Sequence, residues 1–236
     1  MTTNSLRYLS LKTNSTTSKA VGAAAALGVS AGVLVAAATW LSPLAALDRA
    51  SLALVAIVLS LPLGVIASAP ARVMRDAACR ALCALTACAA FVTVLTVAEP
   101  ALWFRTLVWC LPAALIGGSL AALGRAAGLG SAFAWLALCG LPFYFDAMPV
   151  LRETAGNWAL SGCPWLGFSQ DVLGGDPLRR PVIYLGRMSG LSDKPVSGLL
   201  DAGTLWLAGT LSLATLMARC GVHRPARGAS PEVVPT

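Results

Sequence analysis

The side chains through which this chain could do chemistry are few: seven cysteines, one histidine and ten acids in 236 residues. The histidine, His223, lies in the C-terminal segment beyond the last apolar run. From there it cannot pair with a second histidine around a haem, activate a serine within an apolar bundle, or build a histidine-based zinc site. The cysteines, Cys79, Cys83, Cys88, Cys110, Cys139, Cys163 and Cys220, include no C-x-x-C pair. Cys79 and Cys83 share a helix face, yet two thiols alone are too sparse for a metal site. Those within apolar runs read as small packing residues. Cys163 falls in the longest connection and reads as a free buried thiol or, failing that, an intermolecular link. Asp171 and Asp176, with Arg180 nearby, could support acid–base chemistry only if a fixed pocket held them. A loop of mixed charge is more often a salt-bridged cap. No G-x-x-x-x-G-K-[ST] occurs, so the chain has no P-loop for a nucleotide. These residues argue against an enzyme and against a cofactor held by this chain.

The elements that carry these residues are apolar. Hydrophobic residues make up 57% of the sequence and charged residues 11%, where a soluble domain has about a quarter charged. Mean hydropathy is +0.76. Too little polar surface remains to cover a water-soluble fold. A membrane-crossing helix needs about 20 mostly apolar residues. Such runs predict six spans: Ala20 to Leu47, Leu52 to Ala69, Ala81 to Val97, Thr106 to Leu123, Ser131 to Tyr144 and Leu199 to Met217. The fifth is short, with Pro142 near its end. The first exceeds the roughly 7–15 residues of a signal-peptide core, so it reads as a retained span. Helices are the form expected, because backbone groups in lipid must pair internally and the strand alternation of a barrel is missing. The predicted class is therefore all-α and polytopic. A tail over residues 1–19 leads into helices one to five within 20–146. An extracytoplasmic loop over 147–198 carries short interfacial helices, with Trp158 and Trp165 as interface anchors. The sixth helix lies within 199–219 and a tail over 220–236 follows. Ala24, Gly28 and Gly32 in span one, and Gly124 with Gly128 after span four, form small-residue tracks suited to close helix packing.

Charge gives the orientation. With the N-terminus in the cytoplasm, the inner segments hold ten basic residues against Asp76 and Glu232. The outer segments hold seven basic residues against eight acids. The positive-inside rule then puts both termini in the cytoplasm. The excess of basic residues is a matter of orientation, and nothing in it requires nucleic acid, whose binding face needs clustered Lys/Arg with stacking aromatics. No charge falls at the centre of a span, which argues against ion coupling through an intramembrane acid or histidine.

The outer loop contains CPWLGFSQDVLGGDPLRRPVIYLG, with Pro164, Phe168, Gly175, Arg180 and Tyr184 in sequence. This spacing resembles the stretch before the last span of type-2 ABC exporter permeases, including those of the gliding-motility and copper-maturation kind. Six spans, cytoplasmic ends and a folded element between spans five and six resemble that family too. The resemblance implies a permease subunit in a bacterial cytoplasmic membrane, in contact with lipid. A separate P-loop ATPase subunit would hold the ATP. It implies a second permease copy or homologue, and docking of the ATPase on the cytoplasmic segment with Arg72, Arg75, Asp76 and Arg80. The cargo expected from spans without charge is apolar or amphipathic. The same scarcity of polar residues also fits a non-catalytic structural or assembly subunit of a larger membrane complex.

Overall fold

A computed structural model describes residues 3–41, 49–68, 77–96, 99–148, 158, 160–173 and 200–222. Seven helices account for nearly all of them: α1 (Thr3–Leu41), α2 (Arg49–Ser68), α3 (Ala77–Thr96), α4 (Pro100–Leu123), α5 (Arg125–Ala147), α6 (Pro164–Leu173) and α7 (Ala202–Val222). No strand occurs among the described residues. Four segments are long and apolar enough to cross a membrane: Thr17–Ala38, Ala78–Thr96, Pro100–Leu123 and Arg125–Tyr144. The apolar part of α2, Leu52–Ser68, is shorter. α7 has the length, with 21 residues, but Thr204, Thr210, Ser212, Thr215 and Arg219 dilute its apolar character. The described residues are therefore all-helical and include the apolar spans of an integral membrane protein, four of them by length and composition. α1 continues N-terminally well past the apolar run, to Thr3.

Close approaches fix the helix directions. Gly28 of α1 lies on the backbone of Ala87, and Gly32 lies against Phe91 and Val94, so α1 and α3 run parallel. The Trp103 indole donates to Thr93 Oγ1 at 3.0 Å, while Gly118 abuts Ala84. α3 and α4 are thus antiparallel. Gly128 of α5 packs on Val65, and Trp135 reaches the carbonyl of Val58, so α5 runs against α2. Trp206 reaches the carbonyl of Val108, and Gly209 lies on Pro112, so α7 runs with α4. The six long helices consequently alternate in direction along the chain. One end of the bundle, here called the mouth, gathers the starts of α2, α4 and α7 and the ends of α1, α3 and α5. Arg80, Arg125 and Arg219 lie toward the opposite end.

Two glycines allow the tightest crossing. A Cβ at Gly64 would collide with the carbonyl of Ala114, and one at Gly117 with the carbonyl of Leu61. Both sets of obstacles are backbone, so α2 and α4 meet with nothing between them, as small residues permit in membrane bundles. The track Ala24, Gly28 and Gly32 has its use within the chain, seating α1 on α3. The fully buried core includes Ile57, Phe91, Val92, Trp109, Leu160, Leu166 and Phe168. Gly124, with φ +152°, makes the corner between α4 and α5 in a conformation that disfavours side chains.

Three helices contain an internal proline: Pro62 in α2, Pro112 in α4 and Pro142 in α5. Proline has no N–H, so the carbonyl four residues earlier loses its helical partner. In lipid such a carbonyl must find another donor. Four residues before Pro62 stands Val58, whose carbonyl accepts the Trp135 indole N–H at 3.1 Å. Four before Pro112 stands Val108, whose carbonyl accepts the Trp206 indole at 2.9 Å. In α5 the carbonyl taken is that of Cys139, three residues before Pro142, and the donor is Trp165 at 2.8 Å. Each proline-bearing turn is thus clasped by a tryptophan from another helix. The clasps join α2 to α5, α4 to α7 and α5 to α6.

Candidate functional site

α6 is short, and its sequence PWLGFSQDVL places apolar residues on nearly every turn. Pro164, Trp165, Leu166, Gly167, Phe168, Ser169 and Val172 are all buried. Its partners lie well inside the mouth. Trp109 is nine residues along from Pro100, about 13 Å at a helical rise of about 1.5 Å per residue. Cys139 is eight residues from the end of α5, about 12 Å by the same rise. α6 is therefore lodged in the mouth and does not lie across its rim.

Four of its residues hold it there. Trp165 donates to the Cys139 carbonyl and its ring lies 6.0 Å from that of Phe143, tilted by 32°. Phe168 meets Trp109 edge-on, with centroids 5.9 Å apart. The Trp109 indole N–H donates to Asp171 Oδ2 at 2.7 Å. Gly167 lies against the carbonyl of Leu200, at the entry to α7, and 3.2 Å would separate its Cβ from the Trp109 ring. α6 is thereby tied to α4, α5 and the start of α7.

Cys163 precedes α6 and is 1% exposed. Its thiol donates to the Cys139 carbonyl at 3.8 Å. Burial pushes the Cys163 thiol well up, with the nearby Cys139 adding to the effect, while the amides of Leu166 and Trp165 oppose it. It is a free, protonated packing thiol, and not an activated nucleophile. Cys79, Cys83, Cys88, Cys110, Cys139 and Cys163 are free and buried. No group of three or more metal-binding side chains occurs among the described residues.

Beside α6 lies an open cleft of about 500 Å³, lined by Trp109, Gly167, Gln170, Asp171, Leu200, Asp201, Ala202 and Gly203. Asp201 caps α7 reciprocally with Thr204. Its Oδ1 accepts the Thr204 amide at 2.6 Å, and Thr204 Oγ1 accepts the Asp201 amide at 3.1 Å. The cleft thus presents two acids.

Of the residues singled out from sequence, Pro164 and Phe168 are brought together in α6. Gly175, Arg180 and Tyr184 lie outside the described residues, as do Asp176, Arg72, Arg75 and Asp76. Arg80 sits in the first turn of α3, its carbonyl near Gly118. Asp171 accepts from Trp109 within the described residues, a role different from acid–base pairing. Trp158 is 74% exposed, whereas Trp165 is 5% exposed and points into the bundle. The expectation of an interfacial Trp165 is corrected: the Cys139 carbonyl gives its indole N–H an interior partner. Trp109, Gly167 and Asp201 were not anticipated. Asp201 followed three residues later by Thr204 is a capping signal legible in sequence. Trp109 carried none, since its acid comes 62 positions later. Compared with protein-family models, curated proteins and solved structures, the chain matches none.

Proposed function

We propose that this chain is a six-span membrane protein with both termini cytoplasmic, and that it serves as the permease subunit of an ATP-driven exporter energised by a separate P-loop ATPase. The observation that carries this is α6, held inside the mouth between α5 and α7 by Trp165, Phe168 and Asp171. An element so placed can close an exit path while the helices around it change packing. Three further features agree with it. The long helices alternate in direction, which six crossings require. Of the described basic residues, Arg49 and Arg105 lie at the mouth, with Glu99, Asp171 and Asp201, while Arg7, Lys12, Lys19, Arg80, Arg125 and Arg219 lie toward the other end, so the positive-inside rule faces the mouth outward. All but Phe133 of the large exposed aromatics, namely Phe104, Phe143, Tyr144, Trp158 and Trp206, also gather toward the mouth, as at a membrane interface.

In this mechanism two permease subunits face each other, and ATP binding to the partner ATPase biases them between two packings. The ATPase docks on the cytoplasmic segment containing Arg72, Arg75, Asp76 and Arg80. The chain itself carries no ATP. Tagged protein extracted in mild detergent should retain a P-loop ATPase, and charge reversal at Arg72 and Arg75 should release it while the folded permease is still recovered. Stable co-purification with other membrane subunits and no ATPase would overturn the transporter assignment in favour of an assembly subunit.

A further inference from the structure

We infer that α5 is hinged at Gly140–Pro142 and that its last turn moves with the start of α6 as one lid, the Trp165 indole passing between the Cys139 carbonyl and the neighbouring Leu138 carbonyl. The hinge is a property of the chain alone; that the lid closes an export path rests on the transporter assignment.

The three proline turns are not served alike. At Pro62 and Pro112 the carbonyl four residues earlier, which the proline deprives, is the one that a tryptophan satisfies. Those two turns are locked. In α5 the register is off by one. Pro142 deprives the Leu138 carbonyl, yet Trp165 donates to Cys139. No side chain donates to the Leu138 carbonyl among the described residues. The Cys139 carbonyl meanwhile has two donors, the Trp165 indole at 2.8 Å and the Cys163 thiol at 3.8 Å. If the indole moved to Leu138, the thiol would still serve Cys139. Both arrangements then hold the same number of hydrogen bonds, on carbonyls about 100° apart around the helix. Two packings of equal bonding are what a switching element requires.

The backbone here is free to bend. Gly140 stands in the same turn as Pro142, and a glycine beside a proline is where helices kink. A Cβ at Gly64 or Gly117 would strike a neighbouring helix, whereas one at Gly140 would meet only the Tyr144 ring of its own helix, at 3.1 Å. Below the hinge α5 is anchored, by Gly128 on Val65 and by Trp135 on Val58. Above it, the Phe143 ring packs on Trp165 of α6. Trp165 therefore spans the hinge, with its N–H on the anchored side and its ring on the moving side. Asp171, six residues further along α6 and about 9 Å away by helical rise, stays on Trp109 as the pivot. Swinging the other end of α6 uncovers Cys163, which is buried in the closed arrangement.

The test uses the full chain in lipid nanodiscs without ATP or partner subunits. Labelling of Cys163 by N-ethylmaleimide is timed by peptide mass spectrometry. Pro142→Ala returns a helical donor to Leu138, and Gly140→Ala stiffens the same turn with only a tyrosine ring to displace. Each should slow labelling about fivefold, the factor for one regained hydrogen bond or one glycine removed from a helix. Pro62→Ala and Pro112→Ala, whose carbonyls already have indole donors, should leave the rate within twofold of native. An unchanged rate in both α5 variants would overturn the inference. So would equal slowing by Pro62→Ala and Pro112→Ala, since Cys163 would then be reached by opening of the whole bundle. Because no ATPase takes part, the predicted pattern in a chain that proves to have no ATPase partner would leave the hinge standing and remove only its role in transport.

Discussion

The clasp between Trp135 and the turn before Pro62 can be tested by restoring the backbone donor that the proline removed. Trp135→Phe deletes the indole N–H and leaves the Val58 carbonyl, partly buried between α2 and α5, without its 3.1 Å donor. An unsatisfied buried polar group costs about 1–3 kcal/mol. Hydrogen bonds inside membranes measure lower, about 0.6 kcal/mol on average with a maximum near 1.7. Between these lies an expected hydrogen-bond loss of about 1–1.5 kcal/mol, to which the smaller ring adds a packing cost. In a Pro62→Ala background the backbone amide regained at that position can reach Val58 along the helix, so the hydrogen-bond part should vanish and only the packing cost remain. The coupling in the double-mutant cycle should then be about 1 kcal/mol, roughly fivefold in the unfolding equilibrium. Reversible unfolding in mixed micelles, followed by circular dichroism, supplies the four stabilities. If Trp135→Phe costs the same in the native and the Pro62→Ala backgrounds, the indole does not replace the missing helical bond and the clasp has no energetic meaning.

Three other outcomes follow from the packing. Gly64→Ala drives a Cβ into the Ala114 backbone, with Ala114 Cα only 2.8 Å from it, and should destabilise by about 1–3 kcal/mol, whereas Gly22→Ala, with nothing within 4 Å, should be neutral or better in the same unfolding assay. Trp165→Ala should loosen α6 by about 3 kcal/mol and speed maleimide labelling of Cys163, followed by peptide mass spectrometry, more than a hundredfold over the slow native rate; an unchanged rate would mean that α6 is not held by this residue. Ser119 Oγ is buried with no hydrogen-bond partner among the described residues, so Ser119→Ala should raise stability by about 1 kcal/mol, and a loss of stability would show the hydroxyl to be engaged.

Much of the fold was legible because lipid imposes a simple requirement on sequence. The apolar runs at Ala81 and Thr106 correspond to α3 and α4, and the Ala-rich run after Lys19 to the apolar part of α1. The boundaries were harder to read. α5 begins at Arg125, six residues before the run that announced it, because Gly124 makes the corner and lets the helix start at once. That the outer loop holds an ordered element could be read from Pro164, Trp165 and Phe168. Its depth could not. Depth depends on which donor meets which carbonyl, and the Cys139 carbonyl meets an indole 26 positions later. Pro62 and Pro112 offered the missing clue, since each leaves a carbonyl that some tryptophan must satisfy. Which tryptophan does so is set by helix directions, known only once the bundle is assembled. The cleft was out of reach for the same reason: Trp109 and Asp171 belong to segments that sequence reads as a span and a loop.

The central claim joins an orientation to a partner: the mouth with α6 faces outward, and an ATPase sits on the opposite end. Placing one photo-crosslinking residue at Arg75 and, in a separate variant, one at Trp158 tests both in a single experiment on native membranes. A P-loop ATPase crosslinked from position 75 and never from position 158 is the predicted result. Capture of the ATPase from position 158, or from neither position, would contradict the account.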